Sequence, residues 1–327
     1  MIRNQWYVIL ESKEVRKGKP LGLTRMGEKL VVWRAEDGLV SVMSDLCPHL
    51  GAPLCLGKVY GDRLACPFHG FEYDSSGAAR YVPSLGKAGD IPKALKVRTY
   101  PAYEAHGWIW IYWGDPQDGL PTPRWFDIDD SFHYSGFHQH WPVHYSRMVE
   151  NQLDPMHVPL VHSDSIGRGG RFVVEGPLVK IEEDVLSIWV YNRRDDGTRP
   201  RKAEELPEPI RPPFLVFNFP NLWENRINED MRIVAAFAPV DDENSIIYIR
   251  YYQRFVKAPL LKNFVSWVGK LGSIHVTNQD RRIVSRQLPK RTMLKKMGEK
   301  LLQGDNAILQ YRKHRHELLK KNNQVED

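Results

Sequence analysis

Cysteine is scarce in this chain: three residues in 327, Cys47, Cys55 and Cys66. An odd, low count excludes a disulfide framework and fits a reducing compartment. Long apolar runs are also missing. No stretch approaches the roughly 20 residues that span a bilayer, so no membrane role is expected. The N-terminus, MIRNQWYVILESKEV, carries one Arg and a short apolar run cut by Glu11. It lacks the h-region and cleavage site of a signal peptide, and a cytoplasmic location is expected. A dinucleotide fingerprint is absent too. The Gly/Arg-rich SIGRGGR, from Ser165, does not have the G-x-G-x-x-G spacing, and no other nicotinamide or flavin motif is present. The net charge of +6 is uneven, with ten Lys/Arg against five Asp/Glu from Pro289 onward. No nucleic-acid motif accompanies that basic end, so a nucleic-acid partner is not expected.

What is present is an ordinary globular composition, 42% hydrophobic and 26% charged, with length enough for two domains. Up to about residue 114 the chain reads as short strands such as WYVIL, KLVVWRA, LVSVM and GWIWIYWG. Turn signals such as Asp37-Gly38 and Gly61-Asp62 separate them, which predicts a small antiparallel β-sandwich. Two loops here carry chemistry. Cys47-Pro48-His49-Leu50-Gly51 gives C-x-H, and Cys66-Pro67-Phe68-His69-Gly70 gives C-x-x-H. Two thiolates and two imidazoles can hold a [2Fe–2S] cluster with the His pair on one iron, and neutral His in place of thiolate raises its potential. A Cys2His2 zinc site uses the same ligand types, but usually pairs C-x2-4-C with H-x3-5-H. Cys55 lies outside the pattern and reads as a small buried side chain.

The Pro/Gly-rich segment from Gly114 to Pro123 is the best domain boundary. Beyond it, FHYSGFHQHWPVHYSRM alternates aromatics with His133, His138, His140 and His144, as a strand would. The next stretch, ENQLDPMHVPLVH, places Asn151, Asp154 and His157 three apart, on one face if the segment is helical. His162 follows past Pro159, where the helix should bend or end. Two imidazoles with a carboxylate form the 2-His-1-carboxylate set that binds Fe(II) and leaves positions open. Strand-like segments then run to Phe255, interrupted between Asp195 and Pro213 by a polar, proline-rich stretch. That stretch is either a solvated loop or a lid. Aromatics on these strands (Phe214, Phe217, Phe219, Trp223, Phe237, Tyr248, Tyr251) divide between two faces, one of which can line an apolar pocket. Residues 260–287 have helical character with possible breaks at Gly269 and Gly272. The tail reads as two basic amphipathic helices, KRTMLKKMGEKL and ILQYRKHRHELLKKNNQ. Its Lys313, Arg315, Lys320 and Lys321 suit an acidic electron carrier.

CPHLGAPL, CPFHGFEYDSSG, GWIWIYWGDP and the D-x-x-H-x4-H of Asp154, His157 and His162 together resemble the Rieske non-haem iron oxygenases, in their terminal oxygenase α-subunit form. The resemblance covers nearly the whole chain. It implies an α+β protein with an N-terminal antiparallel β Rieske domain (1–115), a linker (116–123) and a C-terminal helix-grip, START-like catalytic domain (124–327) with a large antiparallel sheet. Cys47, His49, Cys66 and His69 would hold the [2Fe–2S] cluster. His157 and His162 would hold a mononuclear Fe(II). The family's third ligand is a carboxylate on a late helix, for which Asp280 is the match and Glu150 the alternative. Gln279 departs from the Glu common at its position. The resemblance further implies a homotrimer, in which Asp154 bridges His157 and His69 of the neighbouring subunit, with Asn151 either reaching the iron through water or bonding the helix backbone. It implies an oxygenase fed by a ferredoxin or an NAD(P)H-dependent reductase, acting with O2 on a small hydrophobic or aromatic substrate. The texture of DPMHVPLVH leans toward the monooxygenase and demethylase branches, with cis-dihydroxylation of an aromatic ring as the alternative. A Rieske electron carrier, or a binding module without iron, is the reading from another class.

Overall fold

The computed structural model describes residues 1–115, 119–294 and 297–324. Pro116, Gln117 and Asp118 of the expected linker, and Lys295 and Lys296 of the expected first tail helix, lie outside the described residues. The chain divides into two compact units, one of Arg3–Pro123 with Pro239–Asp241, the other of Met1–Ile2, Arg124–Ala238 and Asp242–Asp327.

The N-terminal unit is built of β1 (Gln5–Glu11), β2 (Leu21–Arg25), β3 (Glu28–Arg34), β4 (Val40–Ser44), β5 (Lys58–Tyr60), β6 (Arg63–Ala65), β7 (Glu72–Tyr73), β8 (Ala79–Tyr81), β9 (Thr99–Tyr100), β10 (Ala102–Ala105) and β11 (Trp108–Trp113). They form three antiparallel sheets, in the orders β1-β11-β10, β2-β3-β4-β9 and β5-β6-β7-β8. Trp33, Met43, Leu54, Leu64, Phe71 and Tyr73 make one core together with the buried Cys47 and Cys66. The last sheet and the two cysteine loops are thus fixed by the same apolar cluster.

In the second unit β12 (His133–Trp141) leads into α1 (Tyr145–Leu153) and the single turn α2 (Val158–Val161). There follow β13 (Val173–Glu182), β14 (Val185–Arg193), β15 (Leu215–Asn218), β16 (Leu222–Asn228), β17 (Met231–Pro239), β18 (Ser245–Gln253), α3 (Pro259–Val284) and α4 (Asn306–Lys321). The sheet runs β12-β18-β17-β16-β15-β14-β13, a meander closed at one end by the earlier strand. Register carries one row of core side chains across four strands. Leu186 faces Phe217, Phe217 faces Trp223, and Trp223 faces Ala235. Residues two apart on a strand share a face, so Ile188, Leu215 and Phe237 join them beneath α1 and α4. Phe217 and Phe219 pack on Tyr311 of α4 at ring separations of 5.6 and 5.5 Å. Of the aromatics expected to flank an apolar pocket, Phe217, Phe219, Trp223 and Phe237 are core packing instead.

Helix α3 runs unbroken through both glycines. Its buried residues are Ser266, Ser273, Thr277, Asp280 and Val284. Small residues let it lie close to the sheet, and a Cβ on Gly269 would come within 2.4 Å of the Tyr251 ring. The buried hydroxyls bond back to their own helix, Ser273 to the Gly269 carbonyl at 3.0 Å and Thr277 to that of Ser273 at 2.6 Å. The inward face therefore costs no unpaired hydroxyl at those two positions, and it delivers Asp280 to the interior.

Only one of the two expected tail helices forms. Residues 290–294 and 297–300 are not helical. Their backbone is committed elsewhere: the Pro289 carbonyl accepts from Arg147 at 2.8 Å, the Thr292 N–H donates to Ser146 Oγ at 3.1 Å, and the Thr292 carbonyl accepts from Arg315 at 3.2 Å. Arg315 is consequently buried, leaving Lys313, Lys320 and Lys321 as the exposed cations of that expected basic face. Among the described residues no helix is long and apolar enough to cross a membrane. The Asp195–Pro213 stretch has one short turn, Ala203–Glu205, and is tied down by ion pairs of Arg201 with Glu175 and of Arg199 with Glu205.

The two glycines of α3 should respond oppositely to the same change. Gly272 faces open space, so Gly272→Ala should stabilise by about 0.5–1 kcal/mol through helix propensity. Gly269→Ala should destabilise by about 1–2 kcal/mol as the new methyl meets Tyr251. Urea midpoints moving the same way would contradict the close approach.

Candidate metal centre

The helix carrying Asn151 does not reach His157. It ends at Leu153, and Asp154 caps it with extended backbone, φ −87° and ψ 113°. The cause is Pro155, whose ring excludes helical backbone from the residue before it. Pro159, expected to end the helix, instead sits in the first turn of α2, where its missing N–H costs nothing. His157 and His162 are the two cap residues of that turn. One turn of helix between them brings the rings to 5.2 Å, inclined at 74°.

Asp280 reaches both from α3. Its Oδ1 lies 3.0 Å from His162 Nε2 and 3.5 Å from His157 Nε2. Ligand atoms of the three residues all fall within 4.8 Å of one another, the spread of a mononuclear metal site. Asp280 Oδ1 is buried with no hydrogen-bond donor, whereas Oδ2 accepts from Gln152 Nε2 at 3.4 Å. An orphaned carboxylate oxygen between two imidazole nitrogens fits a divalent cation. Burial opposes charge on His157, but Asp154 and Asp280 outweigh it and raise its pKa to about 9. Burial likewise opposes the Asp280 carboxylate, and the two imidazoles hold it below the usual range.

Asp154 Oδ2 lies 3.4 Å from His157 Nδ1, on the side away from Asp280, and its Oδ1 accepts the Met156 N–H at 2.7 Å. Asn151 has a buried Nδ2 without a partner and lines a cavity of about 270 Å³ with Asp154, His157 and Asp280. Glu150, the alternative ligand, is consumed otherwise. Arg312 donates to both its oxygens at 2.6 and 3.0 Å, and Arg147 to Oε2 at 3.1 Å. Of the four histidines after the linker, His133, His138 and His140 lie on β12, and the buried His144 caps α1 by accepting from the Ser146 N–H. Sequence reasoning did not find Gln152 or the contact of Gln279 with His162. Their positions, one before Leu153 and one before Asp280, are the only signal it offered.

The cysteine loops repeat one geometry. In each, the Cys N–H bonds the carbonyl five residues on (Ala52, Phe71), and the Gly N–H returns to the Cys carbonyl, at 2.9 Å for Gly51 and 3.1 Å for Gly70. Both glycines have left-handed backbone, φ 72° and 69°, which a side chain would strain. The cysteines are buried and the histidines exposed, with the rings of His49 and His69 4.7 Å apart. Burial pushes the Cys66 thiol up, against the backbone N–H groups of Phe68 and His69, and Cys47 beside it adds to the rise. Tyr73 OH lies 3.2 Å from Cys47 Sγ. Paired sulfurs with N–H groups aimed at one of them fit an iron–sulfur cluster. Cys55 stands apart, its thiol pushed up to about 11 by burial and by Asp45.

Two family models match this chain. Residues 5–101 match the Rieske [2Fe-2S] domain family, and residues 141–321 match the vanillate O-demethylase oxygenase C-terminal domain. The oxygenase component of dicamba O-demethylase from Stenotrophomonas maltophilia is 34% identical over 54% of this chain and 53% of its own length. The vanillate O-demethylase oxygenase subunit of a Pseudomonas species is 33% identical over 58% and 52%. The chain thus spans about half the length of these relatives. Among solved structures, NdmA of Pseudomonas putida CBB5 superimposes with a TM-score of 0.77 over 98% of this chain and 92% of that one, at 21% identity, a likeness of fold. With both of its domains matched in order, the chain belongs to the Rieske non-haem iron oxygenases, in the branch of the vanillate and dicamba demethylases.

Proposed function

We propose that this chain is a terminal oxygenase that hydroxylates or oxidatively demethylates a small, hydrophobic or aromatic organic molecule. The observation that carries the reading is the meeting of His157, His162 and Asp280 around one donor-free carboxylate oxygen. Cys47, His49, Cys66 and His69 would hold the [2Fe–2S] cluster, and His157, His162 and Asp280 the iron. When bound, the cluster supplies single electrons and the iron activates O2.

The residues themselves do four things. His157 and His162, fixed at either end of one helical turn, offer neutral nitrogens to one side of a cation, while Asp280 offers a single oxygen. Gln152 holds the other oxygen away. Asn151 presents an unpaired amide to the adjoining cavity, placed to hold a water. Asp154 steadies His157 from its far side, and in a homotrimer would do the same for His69 of a neighbouring copy. An Asp between two ligand imidazoles fixes both rings.

The chain has no nicotinamide or flavin motif, so electrons come from a ferredoxin or an NAD(P)H-dependent reductase. The preference for demethylation over ring dihydroxylation draws on the dicamba and vanillate O-demethylases among its relatives. The three free thiols suit a reducing, cytoplasmic setting.

Anaerobically purified protein should be reddish-brown, with about three iron and two sulfide per chain. A metal content of two iron would leave a carrier or binder, and colourless zinc protein would sink the reading altogether. Because His157 keeps its proton to about pH 9 in the metal-free site, a metal must displace that proton. Affinity should therefore climb about tenfold per pH unit toward 9 and level off above it, with one proton released. Calorimetry in buffers of differing ionisation enthalpy reads the release directly, and a pH-independent affinity would contradict it. Asp154→Asn should retain iron and sulfide yet lose product formation by about a hundredfold. Full turnover in that variant would remove Asp154 from the electron path.

A further inference from the structure

We infer that Gln279 is a positioning residue: held by Asp164, its amide fixes the His162 ring in the tautomer that leaves Nε2 free for a metal. The inference rests on the iron-site reading above. His162 is almost wholly buried, and its Nδ1 lies 2.8 Å from Gln279 Oε1. On the other side, Gln279 Nε2 lies 2.9 Å from Asp164 Oδ1. The second Asp164 oxygen lies 3.1 Å from Nε2 of the exposed His275.

The donor inventory orders this chain without any need to see hydrogens. An ionised carboxylate only accepts, so the amide end facing Asp164 must be the NH2 group. Gln279 therefore turns its carbonyl oxygen to His162, and an oxygen can only accept. In the neutral imidazole the proton therefore sits on Nδ1, which leaves Nε2 as a lone pair. That nitrogen is the atom 3.0 Å from Asp280 Oδ1, an oxygen with no donor of its own. Two acceptors at that distance in the interior repel unless a cation, or a proton, lies between them.

The local sequence makes the clamp possible. Gln279 and Asp280 are neighbours on α3 and take His162 from its two nitrogen sides. His275 and Gln279 are one turn apart, on one face. Asp164 lies two residues beyond His162 and bridges both of them. An uncharged amide at 279 accepts the Nδ1 proton without pulling it as strongly as a carboxylate would. A lone Glu there would face Asp164, charge against charge. The acid is tolerable only if residue 164 becomes a donor.

That reciprocity gives the test. The full chain, with its cluster intact and its mononuclear site emptied by a chelator, is titrated with Co(II) against a competing dye, and the visible ligand-field spectrum is recorded. Gln279→Leu should weaken Co(II) binding roughly ten- to hundredfold and change the spectrum. Combining Gln279→Glu with Asp164→Asn restores donor and acceptor in reversed order, and should return affinity to within about twofold of the parent. Gln279→Leu binding like the parent would overturn the inference. So would equal weakness in the leucine and double variants, since any change at 279 would then act through packing alone. If the parent chain itself binds no Co(II), the iron-site reading fails, and this inference with it.

Discussion

The second unit is arranged around one close polar contact: His162 Nε2 against Asp280 Oδ1, 3.0 Å apart and both buried. Two such atoms stay together in an interior only while a proton or a cation is shared between them, because an unshared buried polar pair costs free energy. The surrounding fold has to hold them there. It does so from three directions: the cap positions of α2, the inward face of α3, and the two amides, with Gln152 donating to Asp280 and Gln279 accepting from His162.

The same logic accounts for features that look costly in isolation. Helix α3 turns serine, threonine and glycine toward the sheet and leaves Phe264 and Trp267 about half exposed. Larger inward residues would bury more apolar area, but would push the helix out and withdraw Asp280. The buried Glu150, Arg147 and Arg312 form an ion cluster with the partly exposed Glu299, joining α1 to α4 and to the segment between α3 and α4. Such clusters add little net stability over apolar packing, but removing one partner strands a charge and costs about 3–5 kcal/mol. Here the cluster fixes the last turns of α1, from which Asn151 and Asp154 are presented.

Legibility in the sequence followed how local each feature is. The C-P-x-H texture could be read at once because each cysteine loop is a complete unit, closed by its own backbone bonds and its own glycine. The strands from Val173 to Gln253 were legible by alternation and turn signals. Pro155 was overlooked as a helix stop although its rule is local, and the error shifted a helix boundary without moving the ligands apart. Helix α3 was recognised as helical, but its apolar residues point the wrong way. Periodicity alone would have buried Phe264 and Trp267 and exposed Asp280, whose role came from a family pattern. The aromatics of β15 to β17 were assigned to a possible pocket because nothing in their own sequence reveals that Tyr311, about ninety residues on, covers them. The tail's first helix failed for a similar reason: the groups that claim its backbone, on Arg147 and Ser146, are distant in the chain.

The two candidate centres differ in how far they are exposed, in the way the proposed chemistry requires. The cluster loops bury their sulfurs and expose both imidazoles. A cluster held there would keep its charge on the shielded side and present an imidazole edge at the surface for electrons to arrive and leave. The second centre does the reverse. His162 and Asp280 are buried, and the partly covered His157 borders a cavity walled by charged and amide side chains together with Val161, Ile283, Leu301 and Ile308. Electron transfer tolerates solvent at a conjugated edge, whereas reductive oxygen chemistry loses its specificity if water and stray protons enter freely. On the proposed reading, a chain doing both jobs needs one exposed and one sheltered site; the paired loops would supply the first and the inward face of α3 the second.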